Sequence, residues 1–173
     1  MNINFFFIFI FTALAMIYLF FNPTKLQQFE TKEIAQLELF NFTIYDMDKN
    51  GLRSVFSGLK GYKFKDRYEV SDINYTDNTK EYTANILSNF GVYKDNIVNM
   101  QDHVVYTRSD GLTFKTDKAS YNQDTGFLKT PSTYTLYKND DKITGTKLIF
   151  DSKENRVQSQ QISATYQIKN NGK

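Results

Sequence analysis

His103 is the only histidine of the 173-residue chain, which contains no cysteine and no tryptophan. A Ser–His–Asp centre would have to be assembled around that one imidazole, and no nucleophile-elbow sequence is present to supply the serine. His103 has no cysteine companion and no carboxylate pair at metal-ligand spacing, so a polar strand residue is the better reading. Asp46-Met-Asp48-Lys-Asn50-Gly51 resembles the opening of a calcium loop. The glutamate that closes such a loop at its twelfth position is missing, which leaves a hairpin turn. No glycine-rich phosphate loop occurs. Without cysteine there are no disulfides and no thiol chemistry. A net charge of +2 with no basic block lacks the electrostatic footprint of a nucleic-acid binder. No enzyme activity, cofactor, metal or nucleic-acid partner is expected.

Two triplets carry chemistry of another kind. Asn41-Phe-Thr43 and Asn74-Tyr-Thr76 are of the glycosylation type. The second has Asp72 two residues before its asparagine, which resembles the extended bacterial acceptor.

The elements around these residues begin with an apolar run. No charged side chain precedes Lys25, and Phe5 to Phe21 has Thr12 as its only polar member. As a helix, this run spans roughly 25 Å, close to the ~30 Å hydrocarbon core of a bilayer. Asn22-Pro23 ends it, because proline disfavours helical geometry in its predecessor. Ala13-Leu-Ala15 has the form of a signal-peptidase site. Cleavage there would expose Met16 to Phe21 on a soluble product, and no basic residue opens the segment, so a retained anchor is favoured. The expected organisation is an anchor over residues 1–22, a linker over 23–36, a β domain over 37–169 and a disordered tail over 170–173.

From Leu37 onward the pattern has period two, the signature of strands with one face buried. Phe40, Phe42 and Ile44 alternate with polar neighbours. Tyr82, Ala84, Ile86, Ser88, Phe90 and Val92 read as one long face. Val98, Met100, Val104 and Tyr106 form another, and Ile162, Ala164, Tyr166 and Ile168 the last. Leu37 and Leu39 are out of phase with Phe40 and Phe42, which either a bulge or an edge strand packed on a partner would explain. Turn signals fall at Asn50-Gly51, Asp110-Gly111, Asp124-Thr-Gly126 and Asn139-Asp-Asp141. Pro131 predicts a strand start or a sheet edge.

The second half of the chain also echoes itself. Tyr93, Tyr121 and Phe150 each precede a polar turn and lie 28 and 29 residues apart. A period of that size implies one supersecondary unit stacked on copies of itself around a shared core.

These features resemble the LptC family of the lipopolysaccharide export bridge: one N-terminal helix, a short linker and a repetitive β domain. The motifs that carry the resemblance lie between Leu112 and Ile168. They are Phe114-Lys-Thr-Asp-Lys-Ala119-Ser-Tyr121, Ile143-Thr-Gly145-Thr-Lys-Leu148-Ile-Phe150-Asp151 and Ala164-Thr-Tyr166-Gln-Ile168. The resemblance implies an all-β twisted jellyroll of the open-roll type, its two sheets facing each other around an apolar groove. It implies a single-pass inner-membrane protein with its β domain in the periplasm. Such a protein receives lipopolysaccharide from the LptB–LptF–LptG transporter and passes it to LptA. Alternation under that fold names Phe42, Phe56, Phe64, Ile86, Phe90, Val104, Phe114 and Leu136 as groove candidates, with ordinary core as the competing role. Leu37, Leu39, Tyr166 and Ile168 are the candidates for partner edges. An anchored β scaffold without a lipid-carrying role is the alternative.

Overall fold

The computed structural model describes residues 33–49 and 51–167. The apolar N-terminal run, the expected anchor, most of the linker, Ile168 and the expected tail lie outside the described residues. Among the described residues, no helix is long and apolar enough to cross a membrane.

Nine antiparallel strands follow one another: β1 (Leu37–Asp48), β2 (Gly51–Lys63), β3 (Tyr68–Asp77), β4 (Ala84–Lys94), β5 (Ile97–Arg108), β6 (Leu112–Asn122), β7 (Phe127–Lys138), β8 (Asp141–Asp151) and β9 (Arg156–Thr165). Each pairs with the next, so the sheet order is the chain order. The turn residues fall where the sequence placed them. Gly51, Gly111 and Gly126 have positive φ, and Asn139 adopts the left-handed conformation at the β7–β8 turn. The all-β expectation holds, but the arrangement implied by the resemblance takes a different form. There are not two separate sheets but one open sheet whose strands all change phase along a transverse crease.

The crease is visible in burial. Neighbouring inward residues in a regular strand are two apart, yet the buried pairs are three or four apart: Gly58 and Gly61, Ser88 and Gly91, Met100 and Val104, Thr116 and Ala119, Thr130 and Tyr134. Register shifts mark the same line in every pairing from β4–β5 to β8–β9. Left-handed residues mark it within strands: Asn41 in β1, Asp72 in β3, Asp102 and His103 in β5, Lys147 in β8 and Gln161 in β9. Short polar side chains such as Asn and Asp tolerate this conformation best, which explains the polar interruptions of otherwise apolar strands. Pro131 lies here too, in the middle of β7 and between the shifted pairs Thr130 and Thr133. The expected strand start or sheet edge is therefore corrected to an internal bulge, where a missing N–H costs no ladder bond.

Bulges free backbone groups, and a line of hydroxyls takes them up. Ser88 Oγ lies 2.9 Å from both the Phe90 and the Gln101 carbonyl oxygens, between which its one proton is shared. Thr116 Oγ1 donates to the Thr133 carbonyl at 3.0 Å and lies 2.8 Å from Thr130 Oγ1, which accepts from Ser132 N–H at 3.3 Å. Ser159 Oγ donates to the Thr146 carbonyl at 3.1 Å. Ser88, Thr116 and Thr130 are all buried, so each bond answers a polar group that water cannot reach.

Among the described residues the strands contact only their sequence neighbours, and the most deeply buried apolar residues lie beside the crease. The core cluster is Met100, Val104 and Ala119, against which Ile86 packs from one side of the crease and Val98 from the other.

Candidate binding cleft and sheet edges

Two apolar rows line the two arms of the creased sheet. On arm A the cross-strand partners run Ile44, Phe56, Tyr75, Ile86, Tyr106, Phe114, Leu136, Ile143 and Ala164, one from each strand. On arm B they run Leu37, Lys63, Tyr68, Tyr93, Val98, Tyr121, Leu128, Phe150 and Val157. Nine strands about 4.8 Å apart make each row roughly 38 Å long. The opposite face of arm A is different in kind: Thr43, Ser57, Asn74, Leu87, Val105, Lys115, Thr135, Thr144 and Ser163. The arm A row is thus apolar from edge to edge, the arm B row is apolar except at Lys63, and the reverse of arm A is mostly polar.

Small residues recur along the crease. A row from Leu39 crosses Gly61, Val70, Gly91 and Met100 to Ala119. A Cβ on Gly91 would stand 2.5 Å from Ile73 Cδ1, so larger side chains from neighbouring strands fill the glycine gaps. The Phe42 ring closes over both Gly58 and Gly61 in the same way. Phe42 meets Phe56 edge-on at 5.6 Å, Phe56 meets Tyr75 at 6.3 Å, and Phe114 stacks on Tyr134 at 5.6 Å. Desolvation on arm A pushes the Tyr106 phenol above its ordinary pKa. Most row residues remain half-buried, so the walls are lined but not sealed.

Of the groove candidates, Phe42, Phe56, Ile86, Val104, Phe114 and Leu136 are on the inner face. Val104 and Phe114 are fully buried core, while the other four are partly exposed. Phe90 is on the reverse face, in a row with Ser71, Gln101 and Lys118. The change of phase between Ser88 and Gly91 put it there, breaking the apparently continuous face from Tyr82 to Val92. Phe64 lies beyond the end of β2, 6.3 Å from the reverse-face Tyr62 and under the Arg67 guanidinium. Alternation missed Tyr75, Tyr106 and Ile143; Tyr106 and Ile143 appear in apolar runs, and only cross-strand register joins them to the row.

Among the described residues, neither β1 nor β9 pairs on its outer side. Strand β1 is exposed along almost its whole length, with Leu37 close to half accessible and Ile44, Phe40, Tyr45 and Met47 at least half. Leu37 and Leu39 belong to this edge. Strand β9 is also exposed, but polar: Gln158, Gln160, Gln161 and Ser163 dominate it. Tyr166 follows its last residue and is exposed.

Ion pairs tie the strand ends together. Asp110 accepts from Arg108 Nη2 at 2.6 Å and from Lys138 Nζ, two strands away. These two cations hold its carboxyl well below the ordinary carboxylate range. At the other end Asp66 pairs with Lys94, and Asn96 Nδ2 donates to Asp124 at 3.1 Å. The pairs Asp66–Lys94, Asn96–Asp124 and Asp110–Lys138 are each 28 residues apart, matching the sequence period. His103 lies on the bulge of β5, exposed, with Asn89 Nδ2 3.3 Å from its Nδ1. Among the described residues no group of three or more His, Asp or Glu side chains is placed to hold a metal ion.

A protein-family model described as lipopolysaccharide-assembly, LptC-related, matches residues 6–167. No curated protein matches the chain.

Proposed function

The chain belongs to the LptC family of lipopolysaccharide transport, and from that premise we propose that its creased sheet is the carrier segment of an export path. Acyl chains of lipopolysaccharide lie in the cleft between arms A and B. The saccharide stays outside, in water. The apolar N-terminal run anchors the chain in the inner membrane and holds the β domain in the periplasm. Lipid arrives from the LptB–LptF–LptG transporter at the β1 edge and leaves toward LptA at the β9 edge.

The observation that carries this reading is the unbroken row on arm A, which reaches from the first strand to the last. A core that served only to hold the domain together would be closed by polar residues at the outer strands. Here Ile44 and Leu37 are half-exposed on the edge strand itself. An acyl chain moving through water exposes about 0.8 kcal/mol per CH₂, and an edge-to-edge apolar wall removes that cost along the path. Strand addition at each end would prolong the wall into the next protein.

Photocrosslinking in cells tests the proposal. Probes at Phe56 and Leu136 should capture lipopolysaccharide, while a probe at Phe90 on the reverse face should not. Probes at Leu37 and Tyr166 should capture two different proteins. Protein adducts at the edges without lipid at Phe56 or Leu136 would reduce the domain to an anchored scaffold.

A further inference from the structure

The Asn74 triplet is not used by the cleft, and its surroundings fit a modification site. We propose that Asn74 is an N-glycosylation acceptor, receiving an oligosaccharide from a polyprenyl-diphosphate-linked donor. Its Nδ2 attacks the anomeric carbon of the first sugar. The bond from that carbon to the diphosphate oxygen breaks, polyprenyl diphosphate leaves, and the transferase takes the amide proton.

Three observations on the chain support this. Asn74 lies on the reverse face of arm A and is exposed, so a glycan there projects into water and leaves the cleft clear. Among the described residues its side chain bonds through Oδ1, which accepts from Asn85 Nδ2 at 2.7 Å. Glycosylation consumes a proton of Nδ2 and keeps Oδ1 as an acceptor, so the modified residue retains that bond. The acidic residue of the extended motif, Asp72, is also exposed, and its φ of 53° bends the strand at the crease. The β2–β3 ladder skips Asp72 and Ile73, resuming at Asn74 opposite Ser57.

The other triplet serves as an internal contrast. Asn41 has Leu39 where Asn74 has Asp72, and it lies on the edge strand β1. A glycan there would block strand addition. Thr76 Oγ1, the hydroxyl of the Asn74 triplet, accepts from the same Asn85 amide at 3.0 Å. The folded sheet therefore ties up both recognition groups, and transfer takes place before β3 and β4 pair.

The inference rests on the periplasmic placement of the β domain and not on lipid carriage. The test expresses the full chain, with an optimal acceptor tag at its C-terminus, beside a bacterial oligosaccharyltransferase and its lipid-linked glycan. Intact-mass and peptide analysis should find one glycan on the tag and one on the Asn74 peptide. Asn74→Gln should lose the second, Asp72→Ala should reduce it at least tenfold, and Asn41→Gln should leave it unchanged. A modified tag with a bare Asn74 overturns the site. A bare tag and a bare Asn74 overturn the periplasmic placement, and the site with it.

Discussion

Tyr134 reaches over Gly145 to donate a hydrogen bond from its hydroxyl to Ser159 Oγ, 2.9 Å away, joining β7 to β9 across the strand between them. A Cβ on Gly145 would stand 2.7 Å from that hydroxyl and 2.9 Å from Ser159 Oγ. Gly145→Ala should therefore push the ring aside and cost about 1–3 kcal/mol by overpacking. Chemical denaturation checks the magnitude. Hydrogen exchange should show β9 losing protection more than β4.

Thr130 is the most deeply buried large side chain, and its hydroxyl serves both Thr116 and the Ser132 amide at the crease. Thr130→Val keeps the shape and removes the acceptor. The Ser132 N–H loses its acceptor while Thr116 keeps the Thr133 carbonyl, and the loss should cost about 1–3 kcal/mol. Thr116→Val/Thr130→Val should cost more than Thr130→Val alone, because it also leaves the Thr133 carbonyl without its donor.

Phe114 and Phe56 belong to one row but are buried to different degrees. Phe114→Ala should destabilise the domain by about 3–5 kcal/mol, in the range of a core aromatic truncation. Phe56→Ala should cost clearly less and should instead lower the yield of lipid crosslinked at Leu136. Equal destabilisation by both would assign Phe56 to the core and not to the cleft wall.

The Asp110 carboxylate gives the domain an acid limb. Its hydrogen bonds from Arg108 and Lys138 lower its pKa in the folded state, so the unfolded chain binds the proton more readily. The stabilisation is complete above the ordinary value of 3.8 and is lost as pH falls below it. Wild-type stability should drop through this window. Asp110→Asn should be the weaker protein at neutral pH, with the difference between the two shrinking as the solution is acidified.

Ile44 is half-exposed on the edge strand, so a charge there should be tolerated by the isolated domain within about 0.5 kcal/mol. Ile44→Lys should nevertheless abolish co-purification with the transporter, because a charge on an edge opposes strand addition. Retained co-purification would move the contact away from β1.

Strands and turns were legible in the sequence because alternation and Gly/Asn turn chemistry are local. So was the hairpin period: Tyr93, Tyr121 and Phe150 all fall in the arm B row, each two strands from the next. The crease was not. In β4 the inward residue after the change of phase is Gly91, which has no side chain to register in a hydrophobic pattern, while its outward neighbour is Phe90. The pattern followed the aromatic and carried the face one residue too far. In β5 the step from Met100 to Val104 is four residues, which preserves parity, so that strand read correctly straight through its bulge. Pro131 was misread for a related reason, since local chemistry does not distinguish an outer strand from a bulge inside an inner one.

Because both rows run at right angles to the strands, the length of the passage and its cross-section are set independently. Adding or deleting a hairpin would change the reach by about 10 Å and leave the bore untouched. Altering the glycines of the crease would do the reverse. Under the proposed carrier reading, a path of this design would be fitted to a longer or shorter span without changing what it carries.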